Sequence, residues 1–152
     1  MKTFKEADIL LPGKEVNMEK WSVIACDQFT SEPEYWEEVK KFAGDSPSTL
    51  DMILPEVYLE QENHEEQLKN IEASMNKYLR EKVFTEYKDA MIYVERTDSV
   101  GNVRAGIVGK IDLEQYDYSK KSTSFIRATE ATVAERIPAR VEIRNNAVVE
   151  LP

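Results

Sequence analysis

At 152 residues the chain is long enough for one domain that buries roughly 68–70% of the surface its unfolded form exposes. Its single cysteine, Cys26, excludes an internal disulfide and a multi-cysteine zinc site, and suits a reducing compartment. A net charge of −9 disfavours a phosphate backbone as partner, and no apolar run nears the ~20 residues that span a bilayer.

Lys2, Lys5, Glu6 and Asp8 surround the short apolar cluster Ile9-Leu10-Leu11, which is too brief and too charged for a signal peptide. The expectation is a soluble cytoplasmic protein without a membrane partner. The charge is uneven. Residues 101–152 carry eight Lys/Arg against seven Asp/Glu, whereas residues 1–100 carry 12 against 22, so the last third is the part suited to receive an anion.

Trp21–Ala25 has strand-forming character and stops at the polar Cys26-Asp27-Gln28, a favourable place for a site. Ser31-Glu32-Pro33-Glu34 has the form of a capping box with proline in the first turn. Tyr35, Trp36, Val39 and Phe42 follow at helical spacing, which predicts a helix from about Glu32 to Phe42 stopped by Gly44, with Trp36 in the core.

Asp45–Thr49 reads as a loop, and Pro55 argues against a central strand in Met52–Leu59. Asn63-His64-Glu65-Glu66 opens a second helix whose Leu68, Ile71, Met75, Tyr78 and Leu79 fall along one face. His64, among glutamates in the opening turn, reads as solvated.

Ala90–Glu95 and Val103–Leu113, around the turn 98–102, predict an antiparallel hairpin. Gly101, Gly106 and Gly109 form no phosphate-loop pattern and read as flexibility or a bulge. Asp117 to Ser124 is polar and reads as a loop. Val141–Arg144 alternates like a strand, Asn145-Asn146 suggests a turn, and Ala147–Leu151 begins another extended run. With no repeats and no Gly/Ser linker, the prediction is a single α+β domain over residues 1–152, with a mixed or antiparallel sheet and two main helices packed on it.

The stretch richest in chemistry is Phe125–Arg140. It holds Arg127, Arg136 and Arg140, hydroxyls at Thr129 and Thr132, and carboxylates at Glu130 and Glu135. Guanidinium forks bind phosphate or carboxylate through paired hydrogen bonds, and a helix beginning near Thr132 would point free N–H groups the same way. Glu130 or Glu135 would serve as magnesium ligand or general base. Against this, Thr132-x-x-Glu135 also has the form of a capping box, Pro138 limits such a helix to little more than one turn, and arginines there often make surface ion pairs. At Cys26-Asp27 a neighbouring carboxylate raises a thiol pKa, so an inert buried thiol is the better reading. Asp27 is the more interesting group, as metal or hydroxyl partner.

The runs Trp21-Ser-Val-Ile-Ala-Cys-Asp-Gln-Phe-Thr-Ser-Glu-Pro-Glu-Tyr-Trp36, Leu54-Pro-Glu-Val-Tyr-Leu-Glu60 and Ile126-Arg-Ala-Thr-Glu-Ala-Thr-Val-Ala-Glu-Arg-Ile-Pro-Ala-Arg140 resemble the N-terminal part of the bacterial domain-of-unknown-function family 1015, sometimes labelled ParB-like. The resemblance spans nearly the whole chain. It implies that the chain is the N-terminal fragment of a longer protein, and by fold-level analogy it implies kinship with a fold that handles nucleotides in other families, including a free-serine kinase. More distant members carry Ile-Arg-x-His-Glu-x-Thr, and Thr129 stands where that pattern has histidine.

The leading expectation is therefore a nucleotide- or phosphate-binding domain of a small-molecule phosphotransferase, taking a nucleotide with Mg²⁺. In it Arg127, Thr129, Thr132, Arg136 and Arg140 hold the anion, and Glu130 and Asp27 are the candidate catalytic groups. The alternative is a non-catalytic regulatory or assembly module whose arginines hold the missing C-terminal region. DNA binding by analogy with ParB is disfavoured by the acidic charge and by the lack of a basic recognition helix.

Overall fold

The computed structural model of the chain describes residues 3–119, 121–127, 134 and 137–151. The chain divides into two compact units, Met1–Leu11 with Thr85–Ala131, and Pro12–Phe84 with Thr132–Pro152. No helix among the described residues is long and apolar enough to cross a membrane.

The strands are β1 (Phe4–Lys5), β2 (Ala7–Pro12), β3 (Phe84–Ala90), β4 (Ile92–Thr97), β5 (Val103–Val108), β6 (Lys110–Ile111), β7 (Tyr116–Asp117) and β8 (Ile126–Arg127). They form four two-stranded pairs: β1 with β6, β2 with β3, β4 with β5, and β7 with β8. The first and third of these are antiparallel and the last is parallel. The α+β class holds, with the strands shared among pairs of both senses.

The β4–β5 hairpin pairs Ile92 with Val108 through to Thr97 with Val103. Its turn is built by Asp98, whose carboxylate accepts from the backbone N–H of Val100 and Asn102 at 3.0 and 2.9 Å and from the Asn102 side chain at 2.9 Å. The Asn102 side-chain bond, with these backbone N–H groups, holds Asp98 below the usual carboxylate range. Gly101 closes the turn at φ 90, a conformation that costs a residue without Cβ little.

β5 stops at Val108, not near Leu113, because the chain turns at Gly109 and Lys110–Ile111 pairs with β1, Phe4 opposite Ile111. Neither flexibility nor a bulge explains Gly109. A Cβ there would lie 2.6 Å from the Lys5 carbonyl oxygen and 2.8 Å from the Phe4 ring.

The second unit carries the helices. Trp21 to Ala25 is not a strand. Asn17 caps α1 (Met18–Trp21) by accepting from the N–H of Glu19 and Lys20, and the chain then runs extended without a partner strand. α2 (Pro33–Ala43) starts on Pro33 and ends at Gly44, φ 58. Glu32, at its N-cap, makes no side-chain cap bond, so the expected capping box is not formed. Trp36 on this helix is 1% exposed, and its indole N–H donates to the Phe29 carbonyl at 3.3 Å.

Two 3₁₀ turns, Thr49–Met52 and Glu56–Tyr58, flank Pro55 where a strand was not expected. α3 (His64–Arg80) buries Ile71, Met75 and Tyr78 on the face that the periodicity predicts. Its main partners within the unit are the Thr49–Met52 turn and α4 (Ile137–Asn145).

α4 corrects one expectation: Val141–Arg144 is helical rather than extended. Pro138 is its second residue, where a missing N–H costs nothing, and the short helix expected from Thr132 lies largely outside the described residues. Beyond it, Ala147, Val149 and Leu151 pack against the core of Trp21, Met52, Leu54, Ile71, Met75 and Tyr78 without forming a strand.

Tyr78 ties that core together. Its ring lies 6.1 Å from that of Trp21 and 6.4 Å from that of Phe84. Its hydroxyl accepts from the buried Ser48 N–H at 2.9 Å and donates to the Asp51 carboxylate. Burial, followed by the Asp51 hydrogen bond, pushes the phenol well above its ordinary pKa.

Tyr78→Phe removes the partner of a buried N–H and should lower unfolding free energy by about 1–3 kcal/mol in urea titrations. The raised folded-state pKa makes the associated stability fully present below the ordinary tyrosine pKa. It is lost as pH rises above that value toward the folded pKa, because the unfolded phenol ionises first. The wild-type chain should therefore lose stability in alkali more steeply than Tyr78→Phe. In the other unit, Gly109→Ala should destabilise by about 1–3 kcal/mol through overpacking. Gly106→Ala, with nothing within 4 Å of the added Cβ, should be tolerated in the same thermal melts.

Candidate functional site

The extended segment after α1 is held at both ends by tryptophans. At its start, the Thr49 hydroxyl donates to the Trp21 carbonyl at 2.7 Å. At its end, Phe29 adopts φ 50, stacks on Tyr35 with ring centroids 4.0 Å apart, and offers its carbonyl to Trp36. Between these anchors, the Cys26 carbonyl accepts from the Glu56 N–H at 2.9 Å, which fixes Asp27 and Glu56 side by side.

Arg140 reaches the same place from α4. Its Nη2 lies 3.5 Å from Glu56 Oε1 and 3.8 Å from Asp27 Oδ2. The Arg140 side chain is 49% exposed and that of Glu56 only 12%, so the arginine is the solvent-facing member of the group. An ion pair this open and this long contributes no more than about 1 kcal/mol. One turn along α4, Arg144 Nη2 pairs with Glu150 Oε1 at 2.9 Å.

Asp27, Arg140, Arg144 and Glu150, but not Glu56, rim a cleft of about 450 Å³. Met52, Leu54, Met75 and Ile143 supply its apolar wall, and Cys26, Asp27, Arg140, Arg144 and Glu150 its polar edge. The volume falls in the range of small-molecule sites, as does the pairing of apolar walls with a few polar groups. Burial pushes the half-buried Cys26 thiol up, Asp27 and Glu56 push it further, and Arg140 opposes them. Cys26 is thus a weak nucleophile, as its acidic neighbour suggests.

Of the residues singled out from sequence, the structure brings together Asp27 and Arg140. Arg127, on β8 in the other unit, donates from Nε to the Ser124 carbonyl at 3.4 Å and makes no ion pair with a described residue. The neighbouring Asp117 is taken up by Ser119, whose N–H and hydroxyl each donate to it at 2.9 Å. Thr129, Glu130, Thr132, Glu135 and Arg136 lie outside the described residues.

Glu56 was not anticipated as a partner, since it stands 84 positions from Arg140 and no local pattern marks such a pairing. His64 is not solvated as expected. Its Nε2 lies 2.9 Å from Glu142 Oε2, and its Nδ1 is buried without a hydrogen-bond partner among the described residues. No group of three or more His, Cys, Asp or Glu among the described residues is arranged to hold a metal ion.

Alkylation of Cys26 by iodoacetamide, followed by mass spectrometry, should run slower in the folded chain than in a denatured control at the same pH. Asp27→Asn should speed it by removing one repelling carboxylate, and Arg140→Met should slow it. Rates unchanged by both substitutions would contradict the electrostatics described for the cleft edge.

A family model described as a protein of unknown function, DUF1015, matches residues 10–152, and the chain belongs to that family. No curated protein and no solved structure matches it.

Proposed function

We propose that this DUF1015 member is a nucleotide- or phosphate-binding domain that takes its ligand as a magnesium complex at the edge of the cleft formed by Asp27 and Arg140, beside Glu56. The observation that carries the reading is the loose pairing of the half-exposed Arg140 guanidinium with Asp27 at the polar edge of an apolar-walled cleft, with Glu56 as the arginine's second partner.

A bare phosphate would be repelled by Asp27 and Glu56. Mg²⁺ removes that conflict, because it keeps several waters and binds through one or two carboxylates together with ligand phosphates. Asp27 and Glu56 then turn to the metal, and the Arg140 fork is released to the phosphate oxygens, where paired hydrogen bonds favour arginine. The apolar wall of Met52, Leu54, Met75 and Ile143 suits the uncharged body of the ligand. The reaction class such a site would serve is phosphoryl transfer to a small molecule.

A second reading rests on the same contacts. Arg140 satisfies Glu56, which is only 12% exposed, as a structural ion pair does, and the chain would then be a non-catalytic regulatory or assembly module.

Calorimetric titration separates the two. ATP, ADP and CTP with Mg²⁺ should give saturable heat for at least one nucleotide, the heat should vanish with EDTA, and Arg140→Met should weaken binding by at least about tenfold. Absence of heat with every nucleotide, combined with a lowered melting temperature for Arg140→Glu, would reject ligand binding in favour of the structural role.

A further inference from the structure

A second cleft, of about 460 Å³, lies along the first three turns of α3. Asn63, Gln67, Asn70 and Ser74 all line it, at spacings of four, three and four residues, which places them in one stripe along the helix. This polar stripe runs beside the apolar one that enters the core through Ile71, Met75 and Tyr78. Gln61, from the segment leading into α3, adds a further carboxamide.

Two details set these side chains apart from ordinary surface amides. Asn63 occupies the N-cap position of α3, where its side chain would ordinarily accept from the first free N–H groups, yet it makes no cap bond and lines the cleft instead. Gln67 donates from Nε2 to Gln61 Oε1 at 3.2 Å, and this leaves its own Oε1 buried with no partner among the described residues. A buried carbonyl oxygen without a donor is uncommon in a folded chain, and the Gln67 carboxamide would have to rotate toward the cleft to meet a ligand's donor.

The charge around the cleft argues about what that donor is. Glu37, Lys40 and Asp51 are its ionisable lining residues, and no arginine is among them. Asp51 already accepts from Tyr78, and Glu37 from the Tyr58 hydroxyl at 3.2 Å. The balance is slightly acidic, which opposes a phosphate or a carboxylate. Carboxamides each offer donors and an acceptor without charge, and hydroxyl groups do the same, so the two match many-to-many. The aliphatic side of the cleft, Ile53, Leu54 and Ile71, suits the C–H faces of a sugar ring.

We propose that this carboxamide-lined cleft binds a neutral polyhydroxylated small molecule, a monosaccharide or cyclic polyol. The inference stands independently of the anion site, since its polar side chains are different and the two clefts share only the wall residues Ile53 and Leu54.

The test is NMR of the full ¹⁵N-labelled chain titrated with glucose and with myo-inositol, following the side-chain NH₂ signals of Gln61, Asn63, Gln67 and Asn70. At least one of these probes should give saturable shifts concentrated at those four groups. Gln67→Leu should weaken binding about tenfold, as expected for one lost hydrogen bond to a buried acceptor. If Gln67→Leu does not fold, the near-isosteric Gln67→Glu serves, and it should weaken binding while backbone signals stay in place. Arg140→Met should leave polyol binding unchanged, which keeps this outcome separate from that of the nucleotide titrations. Shifts that do not saturate, shifts that map to the Arg140 cleft, or saturation only with glucose 6-phosphate or a free amino acid would each overturn the proposal.

Discussion

A buried phenol that must satisfy its hydroxyl governs the helical unit. Tyr78 brings its ring into the core with Trp21 and Phe84, and it can do so only because the Ser48 N–H and the Asp51 carboxylate meet its oxygen. That requirement draws the Thr49–Met52 turn onto α3, and the turn's own Thr49 hydroxyl then fixes Trp21 through its carbonyl. The segment that follows, Ile53 and Leu54, lines both clefts. One residue on α3 thus sets the position of the wall that two candidate sites share, and neither cleft would keep its shape if that hydroxyl lost its partners.

The two clefts differ in how they manage polarity. At the Arg140 edge, opposite charges neutralise one another at long range and in partial contact with water, an arrangement that a ligand with its own counter-ion can replace. Along α3, uncharged amides line a cleft, and a buried acceptor stands without a donor among the described residues. On the readings proposed above, the first would take ligands that carry charge and the second ligands that carry hydroxyls.

Elements were legible in the sequence where one local pattern dominates. The three-and-four spacing of Leu68, Ile71, Met75 and Tyr78 identifies α3, and Pro33 with Gly44 brackets α2. Patterns that admit two periods misled. Val141-Glu-Ile-Arg144 alternates like a strand, but its partner is the helical unit's core, into which Ile143 packs. Trp21–Ala25 has strand composition, yet Asn17 caps a helical turn that ends on Trp21. β3 went unread because Phe84-Thr-Glu-Tyr-Lys-Asp-Ala90 is polar along most of its length and takes its identity from pairing with β2. Within the candidate site, Asp27 was readable as a polar group at the end of an apolar run. Glu56 was not, because its role arises only when α4 folds back across the chain.

Both tryptophans sit in the helical unit, Trp21 at 7% and Trp36 at 1% exposure, whereas the strand-rich unit holds none. Indole emission is therefore a signal from one half of the molecule alone. A chain in which the β4–β5 hairpin came apart while the aromatic core stayed closed would look intact by fluorescence. Circular dichroism near 215 nm, which follows β-structure, would register the loss, so disagreement between the two signals would show that the halves do not melt as one cooperative body.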